Sequence, residues 1–94
     1  MRLVQEAGLP MPEMNASLAT RDGVKVIDAL WRSIGKGVEI DGRSYHLDPR
    51  SWAGDLARQN AVQLAGVVLL RIAAHRLWSD PADVVRELRA FLAL

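Results

Sequence analysis

The sequence predicts an α/β fold in which helices flank a mixed central sheet, and three features point there. Residues 24–31 and 37–41 are rich in β-branched side chains and are separated by a short break at Ser33 and Gly35. A segment with helical apolar spacing opens at Asp48-Pro49. A nearly all-aliphatic run, residues 67–73, follows it. Strands, helix and buried strand in that order bury their apolar faces best as layers of helix on sheet.

Composition sets the outer bounds. The 94 residues make one small domain, near the lower end of what folds around a single core. Half of them are apolar (50%) and the net charge is +1, the balance of a globular chain rather than a disordered or strongly nucleic-acid-binding one. Without cysteine there is neither a disulfide nor a thiolate metal site, and a reducing cytoplasm is the simplest home. The longest apolar run, residues 65–70, falls far short of the roughly 20 residues that span a bilayer, so no membrane partner is expected. The N-terminus lacks the basic start and continuous apolar core of a signal peptide.

Taken in order, residues 2–7 form a turn or two of helix closed by Gly8, after which Pro10 and Pro12 enforce an extended passage. This opening reads as the tail of a longer, incomplete first helix. Residues 16–19 are a candidate edge strand, and Asp22-Gly23 a turn. The strand at 24–31 carries Asp28 among apolar neighbours, where a carboxylate must be paired or bind a cation. A hairpin with an even loop centred on Ile34-Gly35 sets Trp31 opposite Val38, Ala29 opposite Ile40 and Asp28 opposite Asp41. Ile27, Ala29, Trp31, Val38 and Ile40 then share an apolar face, while Asp28, Glu39 and Asp41 share the other. An odd loop would leave Asp28 among aliphatics, so burial selects the register that gathers three acids.

The helix after Pro49, with Asp48 as N-cap, is expected to turn Trp52, Leu56, Ala57, Ala61 and Leu64 inward and to end at Gly66. Asp55 and Arg58 have the spacing of an i,i+3 surface pair, while Arg50, Arg58 and Gln59 are the polar groups best placed to meet phosphates. Residues 67–73 read as a central strand buried on both faces. Arg71 interrupts that strand. It either takes an acceptor from an acidic cluster on the adjoining strand or snorkels to water at the strand end. After a connector carrying His75 and Trp78, Asp80-Pro81 starts a last helix with Val84, Val85, Leu88, Phe91 and Leu92 as its buried stripe.

Chemistry concentrates in residues 38–46. Glu39 and Asp41, two apart on a strand, lie roughly 6.5–7 Å apart along one face. Carboxylates at that spacing can share or bracket a hard cation. Asp28 adds a third, and like charges so close repel unless a cation or proton intervenes. Gly42-Arg43 then breaks the strand, and His46 follows within a few residues. The plainer alternative is a half-solvated strand bearing surface acids.

An ordered series of short segments runs from about Glu6 to the C-terminus. They are Ala7-Gly8-Leu9-Pro10, Val26-Ile27-Asp28, Val38-Glu39-Ile40-Asp41-Gly42, His46-Leu47-Asp48-Pro49, Asp55-Leu56-Ala57-Arg58-Gln59-Asn60, Leu64-Ala65-Gly66 and Leu69-Leu70-Arg71-Ile72. Together they resemble a bacterial branch of the very-short-patch-repair-like endonuclease domains. The resemblance implies a restriction-endonuclease-like fold of the PD-(D/E)XK superfamily. There an Asp on one strand and an acid on the next hold Mg²⁺, or Mn²⁺, for phosphodiester hydrolysis.

By position, Asp28 matches the first acid and Glu39 the second, Asp41 stands where a lysine is common, and His46 matches a histidine just after the acidic strand. The resemblance therefore implies Asp28, Glu39, Asp41 and His46 as catalytic residues, the three acids being the metal ligands. Arg43, Arg50, Arg58, Gln59 and Arg71 are the expected contacts to DNA. A winged-helix partner domain often precedes such domains, and a homodimer is the other arrangement expected. The alternative function is a non-catalytic module of the same fold that grips DNA or a protein. The near-neutral charge weighs against strong non-specific DNA binding.

Overall fold

A computed structural model describes residues 2–42 and 49–93. Helix α1 (Arg2–Glu6) ends where Gly8 takes φ +71° and the Leu9 N–H donates to the Val4 carbonyl at 3.1 Å. An extended passage leads to β1 (Glu13–Thr20), longer than the edge strand expected at 16–19. A two-residue turn at Arg21 and Asp22 connects it to β2 (Gly23–Trp31). Then come β3 (Lys36–Asp41), α2 (Pro49–Leu64), β4 (Val68–Ala73), α3 (Arg76–Ser79) and α4 (Pro81–Ala93).

The strands form one mixed sheet in the order β1-β2-β3-β4. The first three pair antiparallel, and β4 pairs parallel to β3 after the α2 crossover. Helices flank this sheet, as the apolar patterning requires. On one face Ala29, Trp31, Val38 and Ile72 pack with Val4 of α1 and with Val84, Leu88 and Phe91 of α4. On the other, Ala16, Leu18, Ile27, Leu30 and Val67 pack with Val62 of α2.

The register of β2 on β3 differs from the expected one by two residues. Ala29 lies opposite Val38 and Trp31 opposite Lys36, so the loop is Arg32 to Gly35, an even count centred one residue earlier. Gly35 sets this. It adopts φ +64°, and a Cβ there would lie 2.7 Å from the Gly66 carbonyl oxygen. Its own carbonyl accepts the Val68 N–H at 2.9 Å, tying the loop to the start of β4. A two-residue shift preserves the alternation of faces on β3, so Glu39 and Asp41 stay on the side away from α4.

Two further expectations are corrected. Residues 67–73 do not form a central strand: β4 is the outer strand of the four, with Val68 exposed at 51%. Its aliphatic character comes from contact with helices on both faces, which a sequence pattern cannot tell from a central position. Helix α2 is also rotated from its expected setting. Trp52 (61% exposed), Leu56 (41%), Ala57 and Leu64 (69%) are exposed, and of the expected inward set only Ala61 is buried, beside Val62. The inward line is Asp55, Arg58 and Val62, spaced three and four apart.

The last helix matches its pattern. The Asp80 carboxylate caps the Asp83 N–H at 3.3 Å, Val84, Leu88 and Phe91 are buried, and Val85 and Leu92 are half-buried. Lys36 Nζ donates to the Phe91 carbonyl at 2.6 Å, and Arg89 donates to the Ala7 carbonyl at 2.9 Å. Among the described residues no helix is long and apolar enough to cross a membrane.

Leu88 is 1% exposed between α4 and the sheet. Leu88→Ala is expected to cost about 2–5 kcal/mol in urea unfolding, whereas Trp52→Ala should stay within about 0.5 kcal/mol. Comparable losses from the two would place α2 in its expected rather than its observed orientation.

Candidate functional site

The β2–β3 ladder runs from Trp31 opposite Lys36 to Ala29 opposite Val38 and stops there. At the next position the Asp28 side chain takes over. Its Oδ2 accepts the Ile40 N–H at 2.7 Å, so a carboxylate occupies the place of a backbone acceptor. The β1 side of Asp28 is irregular as well. Pairing skips from Met14 opposite Ala29 to Ala16 opposite Ile27, and Asn15 between them takes φ +48°, a left-handed conformation that asparagine tolerates better than most residues. The alternation of β2 slips at this point. Ile27, expected beside Ala29 and Trp31, joins the layer under α2, while Ala29 and Trp31 stay under α4.

The parting of β2 from β3 opens a cleft of about 350 Å³, lined from β2 and β3 by Asp28, Glu39, Ile40, Asp41 and Gly42. Asp55 and Arg58 of α2 and Arg71 of β4 complete it. Parallel pairing sets Glu39 opposite Arg71 and Asp41 opposite Ala73. The Arg71 guanidinium then bridges two carboxylates, with Nη2 donating to Asp41 Oδ2 at 2.8 Å and Nη1 to Asp55 Oδ2 at 2.5 Å. These charge-assisted bonds tie α2 to the sheet. Of the two readings of Arg71, the acidic partner on the adjoining strand is the one found.

Arg58 reaches the same cleft from α2. Its Nη2 donates to the Val26 carbonyl at 2.9 Å, and its Nη1 lies 2.6 Å from Glu39 Oε1. That oxygen is sealed from solvent and has no aligned hydrogen-bond donor. Distance and direction disagree here, and the direction decides the character of the contact: charge attraction without a well-formed N–H···O bond. The expected Asp55–Arg58 surface pair is replaced by these two separate partnerships.

Of the residues singled out in the sequence, Asp28, Glu39, Asp41, Arg58 and Arg71 meet in the cleft. Among the described residues no three His, Cys, Asp or Glu side chains are placed to hold one metal ion between them. Asp41 in particular is engaged by Arg71. Gln59 is half-buried on α2 without lining the cleft, and Arg50 is exposed in the first turn of that helix. Arg43, His46 and the N-cap Asp48 lie outside the described residues. Asp55 was not among the expected site residues. Its signal was present, since Asp55, Arg58 and Val62 share one helical line, but the louder apolar line through Trp52 and Leu56 masked it.

No family model matches the chain, and no curated protein or solved structure matches it significantly.

Asp28 holds a part-buried amide that has no strand partner of its own. Asp28→Ala should therefore cost about 1–3 kcal/mol of unfolding free energy. Asp28→Asn, which keeps a side-chain oxygen, should cost less than half as much. Equal losses in chemical denaturation would show that the charge, and not the acceptor, is what β3 requires.

Proposed function

We propose that this chain is a metal-dependent DNA endonuclease domain of the restriction-endonuclease-like type, hydrolysing phosphodiester bonds. The observation that carries the reading is the pair of carboxylates, Asp28 and Glu39, meeting where the β2–β3 ladder parts, in a cleft that also holds two guanidinium groups. The resemblance of the ordered segments to the very-short-patch-repair-like domains implies the same two acids, together with Asp41, as metal ligands.

The donor set suits Mg²⁺ or Mn²⁺. These ions take hard oxygen ligands, and Mg²⁺ commonly uses only one or two carboxylates, with water and substrate phosphate completing its shell. A cage of three acids is therefore unnecessary, and Asp41 is left to hold Arg71. Glu39 Oε1, buried without an aligned donor, is the kind of oxygen that lacks a ligand. Asp28 and Glu39 would hold the ion, which supplies Lewis-acid polarisation of the phosphate and a lowered pKa for a bound water. Arg71, fixed by two carboxylates, presents a positive charge that needs no reorganisation when phosphate charge develops. With a net charge of only +1, tight DNA binding would draw on a second copy or a winged-helix partner.

One observation favours a second reading, a non-catalytic binding module. Glu39 and Asp41 each already face an arginine, so the cleft is partly neutralised without any ion.

Glu39→Gln separates the two. Millimolar Mn²⁺ is expected to raise the melting temperature of the wild-type protein by several degrees, since about 1 kcal/mol of ligation shifts a domain this size by about 4–8 °C. The Gln variant should show no such rise and no cleavage of plasmid DNA. It should also be less stable without metal, by about 1–3 kcal/mol, because Arg58 loses its counter-charge. Wild-type melting that ignores Mn²⁺ would replace the endonuclease by the binding module.

A further inference from the structure

We infer that Arg58 is a displaceable stand-in for the metal: its guanidinium neutralises Glu39 in the metal-free protein, and a divalent cation binds only as Arg58 withdraws. This rests on the metal reading of the cleft given above.

Three observations carry it. The Glu39 side chain is only 15% exposed, and its inaccessible Oε1 is covered by Arg58 Nη1 at 2.6 Å. An ion cannot ligate that oxygen while the guanidinium occupies the approach. The contact is also held by charge rather than direction, since no N–H is aligned on Oε1. Breaking it forfeits one close charge attraction and not a bidentate bond with aligned donors.

The third observation is the contrast with Arg71. That guanidinium is locked between Asp41 and Asp55 at 2.8 and 2.5 Å. Among the described residues Arg58 instead makes one directed bond, to the Val26 carbonyl at 2.9 Å, and its side chain is 33% exposed. Rotation of its flexible stem toward water needs no movement of α2. Among the described residues four carboxylates and two guanidinium groups line the cleft, a formal charge of −2 from those six side chains. The remaining negative charge attracts a divalent cation, and Glu39 is the ligand whose present partner is easiest to exchange.

Isothermal calorimetry with Mn²⁺ on the wild type, Arg58→Gln and Arg58→Lys tests the inference. The Gln variant should bind Mn²⁺ roughly ten-fold more tightly or better, because no salt bridge has to be broken first, and the Lys variant should fall between it and the wild type. In parallel, the Arg58 Nε–H resonance, identified by its loss in Arg58→Lys, should shift with added Mg²⁺ in step with binding. This reading stands even if the Gln variant fails to fold. Mn²⁺ binding that is equal or weaker in the Gln variant, or an Arg58 resonance unmoved at Mg²⁺ saturation, would overturn the exchange and leave the metal site intact. Absence of Mn²⁺ binding to all three proteins would remove the metal reading and the inference with it.

Discussion

The seat of α2 on the sheet depends on one guanidinium shared by two carboxylates. Arg71 comes from β4, Asp41 from β3 and Asp55 from α2, so a single cation joins three elements. Its side chain is 28% exposed, enough burial for the ion cluster to be costly if any member were missing. Only Ala61 and Val62 of the sixteen-residue helix are buried, so apolar packing anchors its C-terminal half alone. Ion pairs hold its middle and thereby set its rotation. Trp52, Leu56 and Leu64 are left facing outward as a consequence, although side chains of that size would contribute most if buried.

Asp28 imposes the second constraint. By accepting the Ile40 N–H it satisfies β3 where β2 no longer does, and it lets the two strands part without leaving a buried amide unpaired. The irregularity at Asn15 on the far side of β2 belongs to the same distortion. A carboxylate that substitutes for a backbone acceptor is an unusual way to end a ladder. Its effect is to bring two acids together in a polar cleft, on a sheet whose other face is covered mainly by apolar packing against α1 and α4.

The two arginines of the cleft are paired in different ways, and this bears on what the cleft does. Arg71 is held by two directed bonds and serves the architecture whatever else it serves. Arg58 is held to Glu39 by proximity alone, with its one directed bond going to a carbonyl of β2. Structural ion pairs are usually well aligned, because alignment is what offsets their desolvation. A buried carboxylate oxygen with a close but misdirected cation is what the proposed exchange of Arg58 for a metal ion starts from. The endonuclease proposal gains from that distinction, while the arginines' neutralising presence keeps the binding module in view.

The sequence by itself determined the type of every element but α3, which it read as part of a connector, and the gathering of acids. β-Branched runs, Asp80-Pro81, Gly8 and Gly66 mark local backbone states, and these depend on neighbours within a few residues. The common face of Glu39 and Asp41 follows from the two-residue period of a strand, which a register shift of two leaves unchanged. Asp28 announced itself because a charge amid aliphatics demands a partner. The tertiary structure alone decided who that partner is, where the loop between β2 and β3 is centred, and that β4 lies at the edge. It also decided that α2 turns Asp55 and Arg58 inward in place of Trp52 and Leu56. Those outcomes depend on long-range charge pairing and on Gly35 closing against Gly66, contacts between residues far apart in the chain. Apolar periodicity counts side chains on a line, and it cannot weigh them against a salt bridge whose other half lies on a different element.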